Sequence, residues 1–187
     1  MGIRATILNR IVAALLPLFL SCAMVQAQDA AKLDGLFDRL KTAEAGEASR
    51  IEREIQLEWS KSGSPALDLL LQRGQDAMTV GDYPAAIEHF TALIDHDPGF
   101  AEAWNARATA YYMAGEFGPS VGDIAQVLTL NPRHFGALSG LALILEETGK
   151  PERALEVYRA ALAIHPHLQG AAEAVARLEK AAEGQEL

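Results

Sequence analysis

A 34-residue period runs through the middle of this chain and dictates how it can fold. Pro98, Pro132 and Pro166 are spaced 34 apart, and so are Gly81, Gly115 and Gly149. Small residues recur in step at Gly74, Ala108 and Ala142, and again at Ala86, Ser120 and Ala154. Large apolar residues do the same at Leu70, Trp104 and Leu138, at Phe90, Ile124 and Tyr158, and at Ile94, Leu128 and Leu162. A period of this length marks a supersecondary unit that cannot bury its apolar face alone and must stack on its neighbours. A chain of 187 residues has room for a short array of such units and little else.

Each copy reads as two helices. The first carries apolar residues at helical spacing, as in Trp104, Ala108 and Tyr111. The shared glycine ends it, because glycine readily takes the left-handed conformation that follows a helix. Pro84, Pro119 and Pro151 open the second helix, where a missing N–H costs nothing. The shared proline stops that helix. The small residues allow close approach of two antiparallel helices, pairing Gly74 with Ala86, Ala108 with Ser120 and Ala142 with Ala154. The large residues fill the space between hairpins.

These registers resemble the tetratricopeptide repeat family. Trp104, Tyr111, Gly115 and Pro132 fall at its intervals, as do Gly74, Gly81, Tyr83, Ala86, Phe90 and Pro98. Ala108 and Ala142 stand where glycine is commoner, Ser120 where alanine is, and Leu93 and Val127 exceed the usual alanine. The resemblance covers about 65–168 and implies an all-α fold: a right-handed superhelical solenoid of antiparallel helix hairpins. The expected units are three repeats within 64–168, at about 65–98, 99–132 and 133–166.

The flanks differ. Residues 1–27 contain no acid, two arginines (Arg4 and Arg10), an apolar run from Ile11 to Leu20, and a small-residue ending at Val25-Gln26-Ala27. That order is a secretory signal peptide, with cleavage expected after Ala27. The run falls short of the ~20 residues that span a bilayer, and Pro17 interrupts it. Cys22 after Ser21 leaves a lipidated or uncleaved, membrane-anchored N-terminus facing the periplasm as the alternative. Residues 28–63 carry two helical patterns, Leu33-Leu36-Phe37-Leu40 and Ile51-Ile55-Trp59. Leu36 and Leu40 precede Leu70 and Gly74 by one period, so this segment reads as a degenerate first hairpin. Residues 169–187 read as a capping helix and tail, with Ala172, Val175, Ala176 and Leu178 inward. A solenoid needs such a cap over its last apolar face.

In such a scaffold the first helix of each hairpin lines the concave face. After the core registers are assigned, the residues left for a groove are Leu71, Gln75, Met78 and Thr79, then Asn105, Thr109, Tyr112 and Met113, then Ser139, Leu143, Glu146 and Glu147. They suit capture of a peptide or helix of a partner protein. Tyr112 is the best single anchor. The groove positions hold no lysine, so the carboxylate clamp used by some family members is not expected. A net charge of −9 without a long basic run argues against nucleic acid. Loss of Arg4 and Arg10 with the leader would leave 14 basic against 25 acidic residues, a net of −11. A single cysteine excludes an internal disulfide framework. No histidine pair has metal-site spacing, and no nucleophile or phosphate-loop motif is present. The expectation is therefore a non-catalytic adaptor of the bacterial periplasm with no cofactor and no metal. The alternative is a membrane-attached envelope assembly factor.

Overall fold

The computed structural model describes residues 30–185. The expected leader, the cleavage expected after Ala27, and Cys22 lie outside the described residues. Those residues form nine helices and no strand: α1 (30–42), α2 (Ala45–Trp59), α3 (Pro65–Thr79), α4 (Tyr83–His96), α5 (Ala101–Met113), α6 (Phe117–Leu130), α7 (Phe135–Glu147), α8 (Pro151–Ile164) and α9 (Gln169–Gln185). Helices α3/α4, α5/α6 and α7/α8 are three antiparallel hairpins stacked in order, and α9 packs on α8.

The punctuation works as its chemistry requires. Gly81, Gly115 and Gly149 have φ of 76°, 78° and 71°, a region in which side-chain-bearing residues are strained. Pro84, Pro119 and Pro151 fall within the first three positions of α4, α6 and α8, so none removes an intrahelical bond. Inside the hairpins the small registers are buried. Ser120 is 1% exposed, and its hydroxyl donates to the Ala108 carbonyl at 2.8 Å. At Gly74 the tightest neighbour is Phe90. The Phe90 ring lies on it, and a Cβ there would collide with that ring. Only the copy with a phenylalanine at this register keeps the glycine. In the other two copies Ala108 packs in one cluster with Ile124 and Ala142 in one with Tyr158.

A second layer of contacts joins one hairpin to the next. Arg107 of α5 is clamped by Asp123 of α6, with Nε–Oδ2 at 2.7 Å and Nη2–Oδ1 at 2.9 Å, and its third nitrogen donates to Thr91 of α4 at 3.0 Å. Its guanidinium also lies over the Trp104 ring, 5.0 Å from the centroid. Three helices from two repeats thus share one charged knot.

The N-terminal hairpin α1/α2 forms, but it does not stack on α3 as a degenerate first repeat would. Leu36, Phe37, Leu40, Ala48, Ile51 and Ile55 instead bury themselves with Phe135 of α7, against Ile164 and Leu168 at the end of α8. Trp59 stacks on His134 at 4.3 Å and tilts onto Phe135 at 5.1 Å. Arg133 binds Asp34 at 2.7 Å and covers the Phe37 ring at 4.2 Å, while Glu52 meets the buried His165 at 3.3 Å. The outer face of α3 is left open. Leu69 is 52% exposed, whereas its equivalents Ala103 and Ala137 are 0% and 1% exposed.

The phase of α9 also differs from the sequence reading. Ala171, Ala174 and Leu178 are buried and Val175 is half-buried, while Ala172 and Ala176 face outward. In so alanine-rich a helix several phases place apolar atoms inward. Two ion pairs hold this one: Arg177–Glu146 at 2.7 Å and Arg159–Glu179 at 2.6 Å.

Candidate functional site

Helices α5 and α7 run side by side along the inner face of the stack, and a hollow of about 270 Å³ opens between them. Asn105, Thr109, Tyr112 and Met113 line one side, and Ser139 and Leu143 the other. All six were expected in the groove from their register. The floor is Ala108, Ile124, Ala137 and Ile144, with Ser120 beneath. Gly136 and Gly140 complete the α7 wall. They sit four apart and so share one helix face. The run Phe135-Gly136-Ala137-Leu138-Ser139-Gly140 carried that signal, and the sequence reading missed it.

Leu71, Gln75, Met78 and Thr79, expected from the first repeat, do not line this hollow. Leu71 is 4% exposed and packs with Phe90, Leu93, Phe100 and Ala103, so it is a core residue and not a groove contact. Met78 is half-buried against the same cluster. Gln75 is exposed and lines an adjoining hollow with Trp59, Glu102, Asn105 and His134. Leu71 shares its register with Asn105 and Ser139. An apolar side chain there sinks fully into the seam with α5, whereas Asn105 and Ser139 are half-buried.

Two carboxylates bracket the α5/α7 hollow. At one end the Tyr112 hydroxyl donates to Glu147, and the Tyr112 ring tilts onto Phe117 at 5.7 Å. That hydrogen bond, with partial burial, holds the Tyr112 hydroxyl above the usual phenol range. At the other end Asn105 Nδ2 donates to Glu102 Oε1 at 3.2 Å. His134 Nδ1 accepts the Ala137 N–H at 3.0 Å, which places the ring proton on Nε2, facing Glu102 Oε2 at 3.3 Å. Glu146, one residue before Glu147, is held below the usual carboxylate range chiefly by the Arg177 hydrogen bond, against the opposing effect of burial.

Among the described residues no cluster of three or more His, Cys, Asp or Glu could hold a metal ion. Ser139 Oγ is buried without a hydrogen-bond partner among them. Among them, too, no helix is long and apolar enough to cross a membrane.

Stacked helical hairpins with an open inner face define a class of protein: a helical-repeat scaffold. The Tetratricopeptide repeat family model matches residues 71–118 and 120–169, and the chain belongs to that family. A TPR repeat-containing protein of Rhizobium etli is 41% identical over 145 residues, 77% of this chain and 71% of that one. The Small glutamine-rich tetratricopeptide repeat-containing protein 2 of Saccharomyces cerevisiae is 32% identical over 118 residues, covering 63% of this chain but 34% of its own length. Among solved structures, the Sgt2 TPR domain from Aspergillus fumigatus superposes with a TM-score of 0.61 at 21% identity, covering 66% of this chain and 83% of that one. The first TPR of Spaghetti (RPAP3), bound to the HSP90 peptide SRMEEVD, gives 0.59 at 24%, covering 63% and 93%. At such identities the likeness is one of fold.

Proposed function

We propose that this protein is a non-catalytic scaffold that holds a peptide or helix of a partner protein against the inner faces of α5 and α7. The observation that carries this reading is the hollow itself. Unconnected turns of two helices bring Tyr112, Met113 and Leu143 together as an apolar surface open to solvent, with Asn105 and Thr109 as polar edges. Met113 and Leu143 are 50% and 42% exposed, an unfavourable display unless something covers them. Relatives of this fold are seen with short peptides bound, among them the first TPR of Spaghetti with SRMEEVD.

The working place we propose is the periplasm of a bacterium, reached through the leader of residues 1–27 and cleavage after Ala27. The order of arginines, apolar run and small residues supports export. The bacterial relative in Rhizobium etli supports the source. Cys22 keeps the membrane-attached assembly factor as the second reading. N-terminal sequencing and intact mass separate the two: a soluble chain beginning at Gln28 rules out the attached form.

The test of the groove is site-specific photo-crosslinking in the native envelope. A crosslinker at Leu143 should trap a defined partner, and Tyr112→Ala should weaken that adduct. A crosslinker at Gln126, exposed on α6, should trap none of it. Equal capture from both positions would refute a groove-bound partner.

A further inference from the structure

The charge around the α5/α7 hollow is one-sided. Its lining contains no lysine or arginine, and Arg53 of α2 lies along the adjoining hollow instead. Glu102 stands at the Asn105 end and Glu147 at the Tyr112 end, each fixed by a hydrogen bond to a residue of the hollow. Among the described residues neither forms an ion pair with a lysine or arginine, whereas Glu146 next door is paired with Arg177. Asn105 and Tyr112, which hold the two carboxylates, are seven residues apart on α5, an axial rise of about 10 Å at 1.5 Å per residue. The hollow, at about 270 Å³, lies below the roughly 300–1,000 Å³ of sites that enclose a small molecule. It suits one large apolar side chain.

We infer that the preferred occupant is a basic amphipathic helix of a partner protein, which seats one apolar side chain in the hollow and sets a lysine or arginine on each of Glu102 and Glu147. This inference rests on the groove reading above and names the chemistry of its partner. Two helical turns advance about 10.8 Å, so basic residues at i and i+7 with an apolar residue at i+4 match the rise from Asn105 to Tyr112 with the hollow between them. The net charge of −9 attracts the same partner at long range. An acidic segment would meet two carboxylates, with no lysine or arginine in the lining of the hollow itself, and like-charge contacts across an interface weigh heavily against a wrong partner.

The experiment uses the full chain and three blocked helical peptides of one length. Each carries Leu at i+4, with Lys, Gln or Glu at both i and i+7, and binding is read by fluorescence anisotropy. The Lys peptide should bind at least about tenfold more tightly than the Glu peptide, and added salt should narrow the gap. Glu147→Gln keeps an acceptor for Tyr112, and with Glu102→Gln it should remove most of the preference while circular dichroism is unchanged. Gly140→Leu, which fills the hollow, should weaken the Lys and Gln peptides alike. If the Gln or Glu peptide binds as tightly as the Lys peptide and Gly140→Leu still weakens it, the charge inference is overturned and the groove reading stands. If Gly140→Leu changes no peptide's binding, both are overturned.

Discussion

Asp123→Ala should cost far more than a surface ion pair is worth. The Asp123 and Arg107 side chains are 8% and 14% exposed, and two short nitrogen–oxygen contacts join them. Removing the carboxylate strands a guanidinium in a nearly closed site. Breaking a fully buried pair costs ~3–5 kcal/mol. Here the Thr91 hydroxyl stays at 3.0 Å and the Trp104 ring remains beneath the cation. Those contacts return part of the loss, the ring alone about 0.5–1 kcal/mol. The expected destabilisation is therefore about 2–3 kcal/mol. At 2–4 °C per kcal/mol for a chain of this size, Tm should fall by ~4–12 °C. Urea titration followed by far-ultraviolet circular dichroism measures it directly. Arg107→Met alone should cost a similar amount by stranding Asp123. The double variant Arg107→Met with Asp123→Leu should cost less than either, because no charge is left unpaired. A loss below ~0.5 kcal/mol for Asp123→Ala, or strict additivity in the double variant, would refute the reasoning and make the knot a surface pair in effect.

Three further outcomes follow from other contacts. Ala142 is fully buried beside Ala154 and Tyr158, so Ala142→Leu should overpack that helix contact and cost ~1–3 kcal/mol by denaturant titration; a neutral result would mean the third repeat is misregistered. Trp59→Ala removes the rings' contact with His134 and Phe135 and should cost about 2 kcal/mol, given a half-buried indole. Hydrogen exchange should then rise across residues 30–59 and stay low in α5–α8, and a uniform rise would contradict a separately docked hairpin. Glu58 is held below its ordinary value of 4.5 first by hydrogen bonds from Lys32 and then Lys61, and Glu146 first by Arg177. A carboxyl depressed in the fold stabilises it above the unfolded value, and that contribution disappears as pH falls through the lower folded value. Protection factors of α1–α2 and α9, corrected for the intrinsic exchange rate at each pH, should therefore fall selectively on acidification below about pH 4.5, and protection independent of pH would count against both networks.

Much of this molecule follows from local chemistry. Gly81, Gly115 and Gly149 end helices because only glycine takes their backbone without strain, and that rule acts within a few residues. Pro98, Pro132 and Pro166 follow the ends of α4, α6 and α8 for an equally local reason. Helix limits, hairpin order and the phase of α5 and α7 could therefore be read from the 34-residue period. Asn105, Thr109, Tyr112, Met113, Ser139 and Leu143 then had to share one side of the stack. The period could not say where a segment outside it would lie. Asp34 meets Arg133 across 99 residues and Glu52 meets His165 across 113, and no repeat relates those positions. Such contacts depend on which complementary surface the finished array presents. That surface, built from Phe135, His134 and His165, exists only once the helices have stacked. Leu71 and the alanines of α9 teach the same point at smaller scale. Their pattern allowed more than one face to be buried, and the neighbours that chose between them come from other helices.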